Sequence, residues 1–278
     1  MLIAIVPNQS KSENNELVRQ VSLQLAKTGT DVRVVCAQGN VPTTDQLIQA
    51  LGGCDAAVAI GGDGTIMHVA KAAAMVGCPV LGINGGRLGF LAGLEPEDLS
   101  RVTSLTNGQY AVDQRALLEI TVHTEAGDTT FIAMNEVVVS RGSLSRLVDV
   151  TVHSGRQEIL TCRGDGIIMA TPTGSTAYSL SAGGPVVDPA VDCILLTPVC
   201  PHSLDSRSRV LPADAVLTLQ ATIADGERAF ITVDGEQNIP LGVADRVTVR
   251  RAATAARLIR LGDTDFYDGL RHKLFDRR

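Results

Sequence analysis

Residues 61–65 read Gly-Gly-Asp-Gly-Thr, directly after the apolar run 56–60 and directly before a helical pattern. Glycines at such a junction leave backbone amides bare. The start of the following helix adds a positive dipole end, so the junction suits a phosphate. Asp63 stands in the middle of it, where a carboxylate would repel the same anion. The spacing is not that of a P-loop, because no Gly-Lys-Ser/Thr follows, and it is not the Gly-x-Gly-x-x-Gly of dinucleotide-binding dehydrogenases. Taken locally, Asp63 is equally a former of a Gly-Asp-Gly turn and a group that acts on something held beside Gly61, Gly62, Gly64 and Thr65.

A second stretch, GDGIIMATPTGSTAYSLSAGGP over 164–185, repeats the Gly-Asp-Gly and packs Thr171, Thr173, Ser175, Thr176, Ser179 and Ser181 around Tyr178. A loop this polar, entered from the apolar Ile-Ile-Met-Ala, offers donors and acceptors for ribose, amide and phosphate groups. Its two prolines and crowded small residues point to close backbone approach rather than to a solvated surface loop.

The elements that must position these residues change character along the chain. Up to about residue 105, apolar runs (2–6, 31–36, 56–60, 79–84) alternate with helical patterns over about 12–27, 44–51 and 65–76. Leu17, Val21 and Leu25 recur every four residues in the first of these helices. Continuous apolar strands separated by helices predict a parallel sheet covered on both faces. Beyond it, period-two runs at 116–123, 129–140, 147–153, 215–223 and 228–235 predict a β-rich, sandwich-like second domain. The tail repeats Phe266, Leu270 and Leu274 at helical spacing. The expected organisation is therefore an α/β domain over 1–105, joined by a C-terminal helix over 263–278, and a β-rich domain over 106–262.

Bulk properties exclude several classes. The net charge is −6, aromatic residues are 3% and tryptophan is absent, so the basic and stacking footprints of a nucleic-acid binder are missing. The six cysteines contain no Cys-x-x-Cys pair, which argues against zinc or a redox motif, and no cluster suggests a dedicated metal cage. Cys36, Cys54 and Cys78 lie in or beside apolar stretches and are expected to be buried thiols, in a reducing cytoplasm. No run reaches the length of a membrane span, and the first residues lack the basic lead-in of a signal peptide.

Both polar stretches together resemble the NAD kinase family. The matching pieces are GGDGT (61–65), Asn135-Glu136, GDGIIMATPTGSTAYSLSAGGP (164–185), TPVCPHSL (197–204) and VDGE (233–236), in the family's order. GGDGT alone is shared with lipid kinases; joined to the second stretch it is specific. The resemblance implies an NAD kinase/diacylglycerol kinase-like fold and transfer of the terminal phosphoryl group of ATP to the 2′-hydroxyl of the adenosine ribose of NAD. It implies that Asp63 is the general base or the carboxylate that orients the acceptor hydroxyl. Asn135, Glu136, Asp165, Thr173, Thr176, Ala177, Tyr178, Ser179, Leu180, Ser181 and Glu236 would then contact NAD. Arg146 and Arg163 are candidates for neutralising phosphate or closing the site across a subunit boundary.

A divalent metal, Mg²⁺, is expected to arrive with ATP, and a homodimer or homotetramer is expected. Two positions depart from the family pattern: His68 stands where many members carry Arg, and Glu236 where Gln is commoner. His68, on the first turns of its helix, is equally a group that reaches a phosphate or ribose and an ordinary helix-surface histidine. The glycine-rich 82–91 follows the fourth strand and either covers the nucleotide or only turns the chain. The competing readings are a lipid or sphingoid-base kinase sharing GGDGT, and a silent NAD(P)-binding regulator on the same scaffold.

Overall fold

The structure is a computed structural model that describes residues 1–10, 13–36, 42–85, 89–142, 146–203, 206–223, 228–236, 238–262 and 266–274. Apolar runs and helices alternate at its start: β1 (Leu2–Pro7), α1 (Glu13–Ala26), β2 (Asp31–Val34), α2 (Thr44–Leu51), β3 (Ala56–Gly61), α3 (Asp63–Val76) and β4 (Val80–Asn84). A 3₁₀ stretch over Pro96–Leu105 follows. The strands lie in the order β2-β1-β3-β4 and pair in parallel, with Ile3 opposite Ala56 and Ala57 opposite Val80. β3 and β4 are buried throughout because helices cover both faces, whereas β2, at the edge, is largely exposed.

Capping fixes where these helices begin and end. Thr43 Oγ1 accepts from the Gln46 amide while Gln46 Oε1 accepts from the Thr43 amide, a reciprocal box at the start of α2. α3 ends on Gly77 with φ at 69°, whose amide returns to the carbonyls of Ala73 and Ala74. The helix begins at Asp63, two residues earlier than periodicity suggests, since Asp63 and Gly64, which carry no apolar side chain to mark the period, still adopt helical geometry. The core beneath is aliphatic, built from Ile3, Ile5, Val58, Ile60, Leu81 and Ile83 with Val21 and Leu25 of α1.

From here the chain is nearly all strand: β5 (Ala111–Thr124), β6 (Gly127–Ala133), β7 (Glu136–Arg141), β8 (Val148–Ser154), β9 (Gln157–Gly164) and β10 (Gly166–Ala170). A 3₁₀ turn (Thr173–Thr176) and α4 (Tyr178–Ser181) interrupt it before β11 (Cys193–Val199), β12 (Arg209–Pro212), β13 (Leu217–Thr222), β14 (Ala229–Val233), β15 (Ile239–Leu241) and β16 (Arg246–Arg260). α5 (Phe266–Leu274) ends the described chain. Two compact units result: Met1–Arg115 with Ala255–Arg278, and Ala116–Thr254. The boundaries fall inside β5 and β16, because each long strand begins in one unit and ends in the other; a reading of periodicity places them at 105/106 and 262/263.

The second unit is a sandwich. One sheet runs β12-β11-β10-β7-β14-β15, antiparallel throughout, and the other pairs β13 with β16 and β8, and β8 with β9. Alternate residues of the two, such as Val148, Val150 and Val152 facing Ile167 and Met169, share one hydrophobic core.

Three expectations change. The run 129–140 is two strands, not one, broken at Met134-Asn135. The stretch 164–185 is not an open loop but a buried strand followed by two short helical turns. Cys36, expected to be buried, is exposed, because it lies just past the end of the edge strand β2; Cys78 is buried, and burial pushes its thiol up to about 12.

Candidate functional site

In the first unit the site gathers at the carboxyl end of β3, as expected for an open parallel sheet. Asp63 is in the first turn of α3. Two amides fix its carboxylate: Phe90 N–H donates to Oδ2 at 2.7 Å and Leu91 N–H to Oδ1 at 3.1 Å. Both belong to the segment after β4, so the glycine-rich 82–91 does more than turn the chain. It orients the acid; its residues 86–88 lie outside the described residues.

Gly61 is held by packing, since a Cβ there would meet Thr65 Oγ1 at 2.7 Å. The Thr65 hydroxyl in turn accepts from Asn8 Nδ2 at 3.1 Å. Gly62 and Gly64 are different, for a Cβ on either would enter open space and neither has a positive φ. His68 is turned elsewhere. Its Nε2–H donates to the Pro42 carbonyl at 2.8 Å and ties α3 to the residue preceding the α2 cap.

In the second unit the break between β6 and β7 carries Asn135 and Glu136. A break inside a sandwich leaves backbone groups that must find partners. Asp234, just past β14, supplies them: Oδ2 accepts from Met134 N–H at 2.9 Å, and Oδ1 from Asn135 N–H at 2.8 Å and Glu136 N–H at 3.1 Å. Thr171 completes the set, its Oγ1–H donating to the Met134 carbonyl and its N–H to the Asn135 carbonyl at 2.9 Å. Glu136 is only 7% exposed, and the Tyr178 backbone N–H donates to its carboxylate. Burial, reinforced by the Asp234 charge, raises its carboxyl to about 7.

The 164–185 stretch divides its hydroxyls between support and surface. Ser175 Oγ bridges to both the carbonyl and the amide of Val187, Ser179 Oγ is 2.9 Å from Thr197 Oγ1, and Thr171, Ser175, Ser179 and Thr197 are all fully buried. Ser179, expected to contact the ligand, therefore faces inward. Thr173 is buried, and Thr176 Oγ1–H donates to the Thr173 carbonyl at 3.3 Å. Ala177 and Leu180 are half-buried, while Ser181 is exposed.

Tyr178 is not a core tyrosine: it is 44% exposed and lines a cavity of about 210 Å³ with Val138, Ser140, Arg141, Gly142, Asp165 and Val199. Arg141 Nε lies 2.7 Å from Asp165 Oδ1 at its wall. The volume is below the ~300 Å³ that a drug-sized ligand needs, so it suits one ring of a larger molecule.

Neither arginine expected to act lines this cavity. Arg163, on β9, is exposed and faces Asp149 at 3.9 Å; Arg146 is exposed just before β8. Glu236 is also exposed, in the turn that sends Asp234 inward. Arg141 was not singled out by sequence reasoning, and Asp234 and Thr171, inside stretches it did quote, were given no supporting role there. A signal for Asp234 was available, since Asn135-Glu136 interrupts an alternating apolar run. Among the described residues no group of three or more His, Cys, Asp or Glu could hold a metal ion.

Comparison with known proteins places this arrangement. The ATP-NAD kinase N-terminal domain matches residues 3–110 and the ATP-NAD kinase C-terminal domain residues 134–261. An NAD kinase of Symbiobacterium thermophilum is 45% identical over 227 residues, 81% of this chain and 80% of its own length. One from Heliobacterium modesticaldum is 38% identical over 278 residues, covering 98% of each. In fold, the chain is similar to yeast NADH kinase complexed with NADH (TM-score 0.84, 23% identity, 100% of this chain and 88% of that one). It is also similar to an Archaeoglobus fulgidus NAD kinase in complex with ATP (TM-score 0.75, 23% identity, 97% of each). With an acid in the first turn of α3, a two-sheet second unit, family matches over residues 3–110 and 134–261 and a 38% identical relative matched over 98% of its length, the chain belongs to the ATP-NAD kinase family.

Proposed function

We propose that this protein is an NAD kinase that transfers the terminal phosphoryl group of ATP to the 2′-hydroxyl of the adenosine ribose of NAD, giving NADP and ADP. The bond formed joins the 2′-oxygen to the γ-phosphorus, and the bond broken joins that phosphorus to the β–γ bridging oxygen, which leaves with ADP. The hydroxyl proton passes to the Asp63 carboxylate. Phosphoryl transfer asks chiefly for positioning and charge neutralisation, so a carboxylate held by two amides answers most of what the protein must do.

The observation that carries this reading is the pair of glycines beside Asp63. Gly62 and Gly64 are required neither by packing nor by a left-handed backbone. Gly64, inside α3, costs up to about 1 kcal/mol relative to alanine, whereas Gly62 is the N-cap of that helix, where glycine is well accepted. Bare backbone at Gly64 has a use if something approaches from the open side, and phosphate at the start of α3 is the natural occupant.

ATP enters as its Mg²⁺ complex, the ion neutralising the donor phosphates. Asn135, the exposed Tyr178 and the Asp165 carboxylate present the second unit's polar groups to NAD, with Glu136 accepting from a sugar hydroxyl. Thr173, Thr176, Ser179 and Leu180 hold the turns that present Tyr178, and Ala177 and Ser181 flank it. Glu236, Arg146 and Arg163 are exposed, and any contact they make with the substrates is from the surface. A homodimer or homotetramer in the cytoplasm fits the family and the free cysteines; light scattering on the purified protein reports the number of subunits. No described helix is long and apolar enough to cross a membrane.

The test is NADP formation from NAD, ATP and Mg²⁺ by wild type and by Asp63→Asn. Asn preserves the shape but takes no proton, so turnover should fall by ~10²–10⁴-fold with NAD binding retained. Folded wild type that makes no NADP would turn attention to lipid acceptors or to a silent binding role.

A further inference from the structure

Two carboxylates meet at the break between β6 and β7, and only one of them has been given work on the substrate. Asp234 accepts from three consecutive amides, those of Met134, Asn135 and Glu136, at 2.8–3.1 Å. Its own N–H returns to the Glu136 carbonyl at 2.9 Å, closing the link in both directions. It adopts φ of 47°, a left-handed backbone uncommon for a residue other than glycine, so the turn is shaped to deliver this carboxylate. Beside it, Glu136 Oε2 is buried with no hydrogen-bond partner among the described residues. The groups bearing on Glu136 are the Asp234 carboxylate from the β14 turn and the Tyr178 amide at the start of α4.

A buried acceptor left unpartnered is costly, and it marks a place where a donor from outside is expected. A backbone fixed through three amides cannot shift to relieve it. We propose that Asp234 is a positioning residue for NAD: it fixes the segment presenting Asn135 and Glu136, and its charge sets the pH range over which Glu136 accepts a hydroxyl of the bound dinucleotide. This rests on the reading of Asn135 and Glu136 as part of the NAD site. The raised carboxyl of Glu136, driven first by burial and then by Asp234, accords with it. When ionised, Glu136 has both oxygens as acceptors; when protonated, it has lost part of that capacity and its charge.

The experiment pairs a titration with kinetics. In protein labelled with ¹³C at the glutamate carboxyls, the resonance missing from Glu136→Gln identifies Glu136. It should titrate near pH 7 in wild type and at lower pH in Asp234→Asn. The KM for NAD should rise in wild type as pH falls below 7. In Asp234→Asn that rise should begin at lower pH, and in Glu136→Gln it should be absent. At pH 8 Asp234→Asn should raise this KM about tenfold, the scale of a hydrogen bond to a charged group, with kcat changed less than about twofold.

A merely structural Asp234 would lower the active fraction, and hence kcat, without moving either titration. If Asp234→Asn does not fold, Asp234→Gly keeps the left-handed backbone without strain and removes the carboxylate. Titration of wild-type Glu136 in the ordinary carboxylate range, or at the same pH with and without Asp234, would overturn the proposal. Wild type that forms no NADP would instead sink the substrate assignment, while the ¹³C titration still decides whether Asp234 governs Glu136.

Discussion

Gly89 lies so close to Asp63 that a Cβ at position 89 would overlap the Asp63 carboxylate. The next two amides, of Phe90 and Leu91, are the ones that orient the carboxylate. Gly89→Ala should therefore push the acid out of its bonds while leaving the hydrophobic core intact. A misplacement of about 1 Å can cost ~10²-fold, and a loss of that order in kcat is expected with little change in the thermal midpoint. Steady-state assays beside thermal unfolding check it. An active Gly89→Ala would mean that the segment does not hold Asp63 during catalysis.

Glu136 makes stability depend on pH in an unusual sense. Its carboxyl is raised to about 7 in the folded chain against an ordinary 4.5, first by burial and then by Asp234. Between those values the folded protein keeps a proton that the unfolded chain has released. The group's contribution is thus fully present below pH 4.5 and is lost as pH rises through 7. At 1.36 kcal/mol per unit the loss is about 3 kcal/mol. Glu136→Gln does not titrate, so it should match wild type near pH 4.5 and exceed it by up to that amount at pH 8. Urea midpoints at the two pH values decide the matter; an equal difference at both would remove the burial argument.

The strand–glycine–helix junction at Asp63 was legible in the sequence because everything that makes it is local: an apolar run, bare residues and a helical period within about twenty positions. The bonds between Asp234 and residues 134–136 join positions 98 to 100 apart, and no local pattern announces them. What the chain does show there is a polar pair inside an apolar alternation, which marks a break without naming what repairs it. The inward turn of Ser179 was hidden for another reason. Composition says that Ser and Thr are present, but whether a hydroxyl faces a ligand or a neighbouring backbone group depends on one turn of helix, and α4 is one turn long. Within it Tyr178 points out and Ser179 points in.

That inward hydroxyl yields a stability prediction. Ser179 Oγ and Thr197 Oγ1 are fully buried and 2.9 Å apart, and a Cβ on Gly184 would press on both. Ser179→Ala leaves the Thr197 hydroxyl in the interior without this partner, at a cost of about 1–3 kcal/mol. Thr197→Val should cost a similar amount. Because each single change orphans the other group, the double variant should lose clearly less than the sum. Denaturant unfolding of the four proteins closes the cycle. Strict additivity would show that the two hydroxyls do not support each other.

Gly64 sets stability against function most directly. It is the second residue of α3, a Cβ there meets nothing within 4 Å, and its φ is not positive. Alanine should then stabilise the fold by about 0.4–1 kcal/mol, since it restricts the unfolded chain and suits a helix. If the open space above Gly64 receives the phosphates of ATP, the same methyl group stands in their way. Gly64→Ala is expected to unfold at a higher temperature and yet show a KM for ATP raised at least about tenfold, on the order of 1.4 kcal/mol of binding lost. A more stable variant with unchanged KM for ATP would mean that this helix start does not carry the phosphates, and the donor would have to be sought elsewhere on the protein.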